Sequence, residues 1–210
     1  MGEDAGRILG AARHLLKLVN GVLDLAKIEA GRIEVAAVEF EVGSLLNEVA
    51  GILRPAAEAN EVATNIEVED GLGVVRADEL RIRQCLFNLL GNAIKFSGGG
   101  TVSVAATTAN EHGQDYLVFE VADTGIGMTF EQVERVFQPF EQADNSTTRK
   151  YGGTGLGLSI VRGLSRALGA DVSATSVLGE GSVFTLRIPA EIGAESVGWG
   201  EDRLSSADAA

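Results

Sequence analysis

The chain has almost nothing with which to cross-link itself. Its 210 residues include one cysteine, Cys85. An internal disulfide and a cysteine metal cluster are therefore excluded, and a reducing cytoplasm is the expected compartment. Cys85 lies in an apolar run, where a thiol reads as helix packing. Long apolar runs are missing too. None approaches the ~20 residues of a membrane-spanning helix, and MGEDAGRIL at the N-terminus lacks the basic and apolar pattern of a signal peptide. Positive charge is scarce: 17 Lys and Arg stand against 30 Asp and Glu, for a net charge of −13. Such a field repels nucleic acid and acidic membrane surfaces, so neither is an expected partner. A phosphate ligand would need local cations or a metal ion. Histidine is limited to His14 and His112. An acidic chain that opens with Met-Gly reads as a cytoplasmic protein or an excised piece of a larger one.

What is present suits one domain with an appendage. Hydrophobic residues make up 45% of the chain, enough for a real core. From Gly6 to Ala30 the pattern is helical. Ile8, Ala12, Leu15, Val19, Val22 and Ala26 step by four and three, the seam of a coiled coil, and Leu9, Leu16 and Leu23 widen it. Gly31 fits its stop. A strand over Val38–Val42 then leads to a helix from about Ser44 to Asn60, in which Pro55 predicts a kink or an early end. Strands TNIEVE and GVVRAD precede a long helix over about Asp78–Phe96. Strands TVSVAATTA and DYLVFEVAD are joined by the polar turn NEHGQ. A short helix starts near Thr129 or Phe130, a polar stretch runs from about Gln138 to Gly153, and a helix spans about Leu156–Leu168. Strands ADVSATSV and SVFTLRIP close the fold around an LGEG turn. The tail from Glu191 to Ala210, with Trp199, is small, polar and acidic and reads as flexible. Strands and helices in this order predict an α+β fold: a two-layer α/β sandwich with helices on one face of a mixed, largely antiparallel sheet.

Three stretches carry chemistry. RKYGGTGLGLSI, Arg149 to Ile160, puts glycines ahead of a helix, an arrangement that turns free backbone N–H groups on an anion. It is not a P-loop, which needs G-x-x-x-x-G-K-[ST]. It is not the dinucleotide turn either, because polar loop, not a strand, precedes it. In NLLGNAIKF, Asn88, Asn92 and Lys95 share a helix face at spacings of four and three. The residues alone allow two satisfied polar groups at a core edge, or two carbonyl oxygens that hold a hydrated magnesium ion with Lys95 beside a phosphate. In VFEVADTGIGM, Asp123 ends a strand ahead of Gly125 and Gly127. Its carboxylate could accept a bond from an exocyclic amine such as that of adenine, with glycines that let a flat ring approach the backbone. Asp-Thr-Gly is also the signature of aspartic proteases, but those need two facing carboxylates, so this single copy would require a homodimer.

Taken in order, five motifs resemble the catalytic, ATP-binding domain of sensor histidine kinases, within the superfamily of gyrase, Hsp90, histidine kinase and MutL ATPases (the Bergerat-type fold). They are RIRQCLFNLLGNAIKFS, DTGIGM, VFQPFEQ, RKYGGTGLGLSIV and GEGSVFTLRIP. The resemblance covers about Phe40 to Ala190. The stretch HLLKLVNGVLDLAKIEAGRIEV is similar to the second helix of the family's dimerisation and histidine-phosphotransfer domain, in the form common in hybrid sensor kinases. The resemblance thus implies a partial dimerisation domain over 1–31, a catalytic domain over 32–190 and a tail or linker over 191–210.

It also implies roles. Asp123 would take the adenine amine, partly through water, with Gly125, Ile126 and Gly127 shaping the pocket, Ser182 helping to hold the water, and Phe96 near the base. Asn88 and Asn92 would hold magnesium and the phosphates, and Lys95 a phosphate oxygen. Residues from about Gln142 to Gly153 would form a lid over ATP, with Phe137 and Phe140 anchoring its start and Tyr151 within it. Arg149 or Lys150 would reach the outer phosphates. Gly153, Thr154, Gly155, Leu156 and Gly157 would turn the loop into the helix around the triphosphate. The hydrolytic branch resembles this pattern with glutamate where Asn88 stands, and an amide cannot take a proton from water. The resemblance therefore implies transfer, not hydrolysis. The family's acceptor resembles His followed by Glu or Asp, then Arg and Pro. His14 is followed by Leu15, Leu16 and Lys17, and His112 sits in a turn. Neither is expected to be the phosphoacceptor, which should lie on a helix outside this chain. A homodimer through residues 6–30 and a response regulator or receiver domain are the implied partners. A non-catalytic nucleotide-binding or interaction module is the alternative.

Overall fold

The computed structural model describes residues 2–141 and 155–192. Helix α1 (Gly2–Glu29) leads, then β1 (Val38–Glu41), α2 (Val42–Ala59), β2 (Ala63–Val68), β3 (Val74–Ala77) and α3 (Glu79–Phe96). There follow β4 (Thr101–Glu111), β5 (Gln114–Asp123), α4 (Phe130–Arg135), α5 (Gly157–Ala167), β6 (Asp171–Val177), β7 (Gly181–Pro189) and β8 (Glu191–Ile192). The main sheet has the order β2-β4-β5-β7-β6. Only the β2–β4 pair is parallel; β4–β5, β5–β7 and β7–β6 are antiparallel.

The strands alternate as a one-sided sheet requires. Val102, Val104 and Ala106 of β4, Leu117, Phe119 and Val121 of β5, and Phe184, Leu186 and Ile188 of β7 are buried. Helix α2 lays Leu45, Leu46, Val49 and Leu53 on this face, and α3 lays Ile82, Cys85, Leu86, Leu89 and Ile94. Arg83 pairs with Glu48 and Glu79, stitching α3 to α2 at the surface, where such pairs add about 0–1 kcal/mol each. The β4–β5 hairpin turns on His112 (φ 52°) and Gly113 (φ 81°). Two left-handed residues in succession match the twist of a tight hairpin, and His112 is exposed there.

Caps fix where the helices start. The Glu41 carboxylate accepts from the Gly43 and Ser44 amides at the head of α2. Buried Asp78 accepts from Arg81 N at 3.0 Å and from Ala36 N at 2.9 Å, tying the head of α3 to the segment before β1. Thr129 and Gln132 form a capping box on α4.

Two expectations are corrected, and one element is added. Pro55 does not end α2, which continues to Ala59. Its missing N–H leaves the Gly51 carbonyl without a helical partner, and both residues lie on the exposed side, where water can serve that carbonyl. A second, three-stranded sheet, β1-β3-β8, stands beside the main one. The tail does not begin at residue 191: Glu191 and Ile192 pair with Arg76 and Val75, covering an otherwise open edge of β3. Trp199 and the rest of the tail lie outside the described residues.

Cys85 is buried, and burial pushes its thiol up to about 12. At pH 8 its reaction with iodoacetamide in the folded protein should be about a thousandfold slower than that of an exposed thiol. Mass spectrometry of a timed reaction, with and without denaturant, checks this.

Candidate nucleotide site

Helix α3 buries its apolar stripe under the sheet and turns a polar one away from it. Asn88, Asn92 and Lys95 are all half-buried on that stripe. The Asn88 amide nitrogen donates to the Gln84 carbonyl at 2.9 Å, one turn back, which fixes its side chain. The head of α5 comes down on this spot. A methyl group placed on Gly157 would lie 3.1 Å from Asn88 Oδ1 and 3.7 Å from Asn92 Nδ2. Leu156, buried at the start of α5, supplies no side-chain cap, and the first backbone N–H groups of a helix have no partner within it. One turn on, Lys95 Nζ stands 4.4 Å from the centre of the Phe96 ring.

The second cluster lies where β5 ends. Asp123 is opposite Ser182 of β7, and Ser182 is in turn opposite Ser176 of β6, so the three form one row across three strands. Gly125 N donates to Asp123 Oδ1 at 2.8 Å, and Ser182, its register partner on β7, stands beside the same carboxyl. Burial pushes the Asp123 carboxyl above the usual carboxylate range, and the bonds from Gly125 and Ser182 oppose it. The glycines are required sterically. A methyl on Gly125 would meet Phe96 O at 2.4 Å, and one on Gly127 (φ 61°) would meet Val177 O at 2.0 Å. Ile126 N donates to Phe96 O at 3.3 Å, so the turn is bonded to the end of α3. The Asp123 turn is therefore tied to α3 at Phe96, four residues past Asn92 and eight past Asn88, about 6 and 12 Å along the axis.

The ends of the polar stretch meet in a neck. Phe140 N donates to Gly155 O at 3.0 Å, and both residues have positive φ, 63° and 69°. Phe137 packs edge-on against Phe184 with ring centres 6.2 Å apart, while the Phe140 ring is exposed and holds its place through its backbone. Arg149, Lys150, Tyr151, Gly153 and Thr154 lie outside the described residues. Among the described residues no group of three His, Cys, Asp or Glu side chains could hold a metal ion.

Helix α1 reaches this neighbourhood with one face. Gly21 packs on Leu156 and Ile160, and Gly163 of α5 gives way to Ile28, with Leu25 also against the core. Gln84 Nε2 donates to Asp24 Oδ2 at 2.9 Å. The coiled-coil seam read from the sequence points elsewhere: Leu15, Leu16, Val19, Val22 and Leu23 are exposed. The side chain of His14 lies outside the described set. No described helix is long and apolar enough to cross a membrane.

Sequence reasoning missed Ser176, whose Oγ accepts from Met128 N at 2.8 Å and lies 2.7 Å from Gly181 O and 3.0 Å from Ser182 Oγ. The available signal was a small hydroxyl residue on the strand before the LGEG turn, placed to face Ser182 once the hairpin closes.

The family described as "Histidine kinase-, DNA gyrase B-, and HSP90-like ATPase" matches residues 77–192. An uncharacterized sensor-like histidine kinase of Rhizobium meliloti is 41% identical over 179 residues, 85% of this chain and 33% of its own length. The autoinducer 2 sensor kinase/phosphatase LuxQ of Vibrio parahaemolyticus is 38% identical over 182 residues, 85% of this chain and 21% of its own. The chain thus spans a third or less of these curated relatives. The crystal structure of full-length ShkA in complex with AMPPNP superposes with a TM-score of 0.77 at 36% identity, covering 88% of this chain and 38% of that one. With more than half of its sequence matched, the chain belongs to the histidine kinase-, DNA gyrase B- and HSP90-like ATPase family, and it carries the ATP-binding catalytic domain of the sensor-kinase branch.

Proposed function

We propose that the chain binds Mg-ATP between α3, the Asp123 turn and the head of α5, and passes the γ-phosphoryl group to a histidine on a dimerisation helix. The observation that carries this reading is the placement of two unlike clusters beside one helix: the Asp123 carboxyl, whose turn is bonded to its C-terminal end, and the Asn88 and Asn92 amides one to two turns earlier, under the head of α5. A nucleotide has the same polarity, a base with an amine at one end and phosphates at the other. ShkA, solved with the ATP analogue AMPPNP, supports it as a relative.

In this reading Asp123 accepts from the base amine, with Ser182 beside it, and Gly125, Ile126 and Gly127 shape the floor next to Phe96. Asn88 and Asn92 bring amide groups and Lys95 a cation to the phosphate end. The N–H groups from Gly157 onward face the outer phosphates, with Gly155 and Leu156 setting the helix head. Arg149 or Lys150, Tyr151, Gly153 and Thr154 complete the lid. A magnesium ion fits this donor set: it takes oxygen ligands, keeps several waters and shares the rest with phosphates, and with the Asn88 amide nitrogen engaged by Gln84 O, its Oδ1 is the atom left to serve. When bound, it would neutralise charge on the phosphates. The chain's own residues position and desolvate the reacting groups, which is most of what phosphoryl transfer asks of a protein. Neither asparagine can take a proton from water, so hydrolysis has no base here. The acceptor's ring nitrogen forms the new bond to γ-phosphorus as the bond to the β–γ bridging oxygen breaks. ADP leaves, and the ring proton passes to solvent.

The domain division follows: α1 as the second helix of a dimerisation and phosphotransfer domain over 1–31, the catalytic domain from 32 to 192, and a linker after it. Homodimer formation through residues 6–30 would cover the exposed seam of α1. A response regulator or receiver domain would take the phosphoryl group onward, in the cytoplasm.

The test supplies a histidine-bearing helical hairpin and radiolabelled ATP. Acid-labile label on the hairpin histidine is the expected result, and ATP binding without any transfer would favour the non-catalytic module. Asn88→Ala should remove most of the magnesium dependence of ADP affinity, a loss of about tenfold, read by calorimetry with and without the ion. Unchanged magnesium dependence would overturn the role of Asn88.

A further inference from the structure

The hydroxyl of Ser176 has more neighbours than one proton can serve. Its Oγ accepts the Met128 N–H at 2.8 Å. Its proton can go to Gly181 O at 2.7 Å or to Ser182 Oγ at 3.0 Å. Ser182 has a similar choice, between Ser176 and the Asp123 carboxyl that neighbours it across the β5–β7 register. The two choices are linked. When Ser176 donates to Gly181 O, its bond to Ser182 must use the Ser182 proton, and Ser182 shows only lone pairs to Asp123. When Ser182 donates to Asp123, Ser176 must donate to Ser182. An ionised Asp123, which is acceptor-only, selects the second arrangement. In that arrangement the hydroxyls run in one direction, from Ser176 through Ser182 to the carboxylate. Ser176 also holds the far end of the glycine turn through Met128 N, five residues past Asp123, while Gly125 N holds the near end. One side chain thus orients the hydroxyl beside the carboxylate and fixes the loop that carries it.

We propose that Ser176 is a positioning residue for the base: by orienting Ser182 and anchoring Met128 it holds the Asp123 carboxylate in line with the exocyclic amine of adenine. This rests on the reading of Asp123 as the acceptor of that amine. Ser176 itself does not touch the nucleotide. Its effect is therefore specific to the amine and not to the phosphates or the ribose.

The experiment compares ADP with purine riboside diphosphate, which lacks the 6-amino group, by calorimetric titration of the full chain with magnesium present. The wild-type chain should prefer ADP. Ser176→Ala should shrink that preference by about five- to tenfold, the worth of one or two hydrogen bonds, while its affinity for the amine-free analogue stays within about twofold. Ser176→Thr, which keeps the hydroxyl, should restore the preference. Ser176→Cys fills the same space with a weak hydrogen-bonding group and should behave as the alanine variant does, which covers the case of an alanine variant that does not fold. Equal losses for both nucleotides would mean that Ser176 only stabilises the hairpin, and an unchanged preference would mean it does nothing for the base; either overturns the proposal. A wild-type chain that does not distinguish the two nucleotides would instead overturn the Asp123 reading, and this inference with it.

Discussion

Asp123→Asn should cost the protein about ten- to a hundredfold in ADP affinity without lowering the stability of the unliganded chain. Loss of a hydrogen bond to a charged acceptor is worth about 1.5–3 kcal/mol. The amide would keep one oxygen for the Gly125 N–H and turn a donor on the base amine, which needs an acceptor. Stability should move the other way. Burial raises the Asp123 carboxyl above its unfolded value, so the folded state holds this proton more tightly than the unfolded state does. By linkage, the group favours the folded state most below its unfolded value, and that contribution is lost as pH rises through the raised folded value. At neutral pH the ionised carboxylate is therefore a net cost to the fold, and the neutral amide removes it. Thermal denaturation of the unliganded variant at pH 7 should give a Tm equal to or above that of the wild type. Nucleotide affinity has the opposite sign. It needs the ionised acceptor, so it should fade as pH falls through the raised value, earlier than an ordinary carboxylate would dictate. Titrations at several pH values check this. A variant that binds ADP normally would remove Asp123 from the site.

The largest effect on stability is expected at Gly181. Its φ is 130°, and an added methyl would lie 1.9 Å from the carbonyl oxygen of Asp123. The left-handed backbone costs a side chain about 1–2 kcal/mol. The collision is with backbone, not with a side chain that could turn away. It can be relieved only by opening the β5–β7 pair, which holds buried Phe119, Phe184 and Leu186 together. Gly181→Ala should destabilise the protein by ~3–5 kcal/mol, a large part of the ~5–15 kcal/mol typical of a domain. Gly179→Ala is the internal control. Gly179 also has positive φ, 84°, but nothing lies within 4 Å of an added methyl, so it should cost only about 1–2 kcal/mol. Urea denaturation of the two variants separates the backbone term from the steric one. Equal losses would show that the Asp123 carbonyl yields. Because that carbonyl belongs to the residue that ends β5, any Gly181→Ala protein that folds should also bind nucleotide poorly.

The stretches that carry the proposed site were legible because their spacing is local. Asn88, Asn92 and Lys95 share a face through the period of one helix, whatever packs around it. Asp123 ends an apolar run, and the glycines after it announce a turn. The boundaries of α3, α5 and the β4–β5 hairpin were likewise set by caps, periodicity and turn residues a few positions away. The misreadings fell where the deciding partner is distant. Pro55 reads as a break until the exposed side of α2 is known to carry the loss. Glu191 and Ile192 read as tail until β3 offers its open edge, more than a hundred residues earlier in the chain. On α1 two apolar faces compete, and docking on Leu156, Ile160 and Gly163 selects the one with Gly21, Leu25 and Ile28 for the domain, leaving the seam of Leu15, Val19 and Val22 exposed.

The sequence by itself therefore determined the inventory: the α+β order, the family, the residue types at each end of the site, and the amide where a hydrolytic relative would need a base. Tertiary structure alone decided the register that puts Asp123, Ser182 and Ser176 in one row, and the descent of Gly157 onto Asn88. It also decided the collisions that make Gly127 and Gly181 obligatory. The reason is physical. Helix periodicity and capping are energies of neighbours in the chain, whereas strand register and helix docking are chosen by burial of the whole apolar face at once, and no short stretch contains that sum.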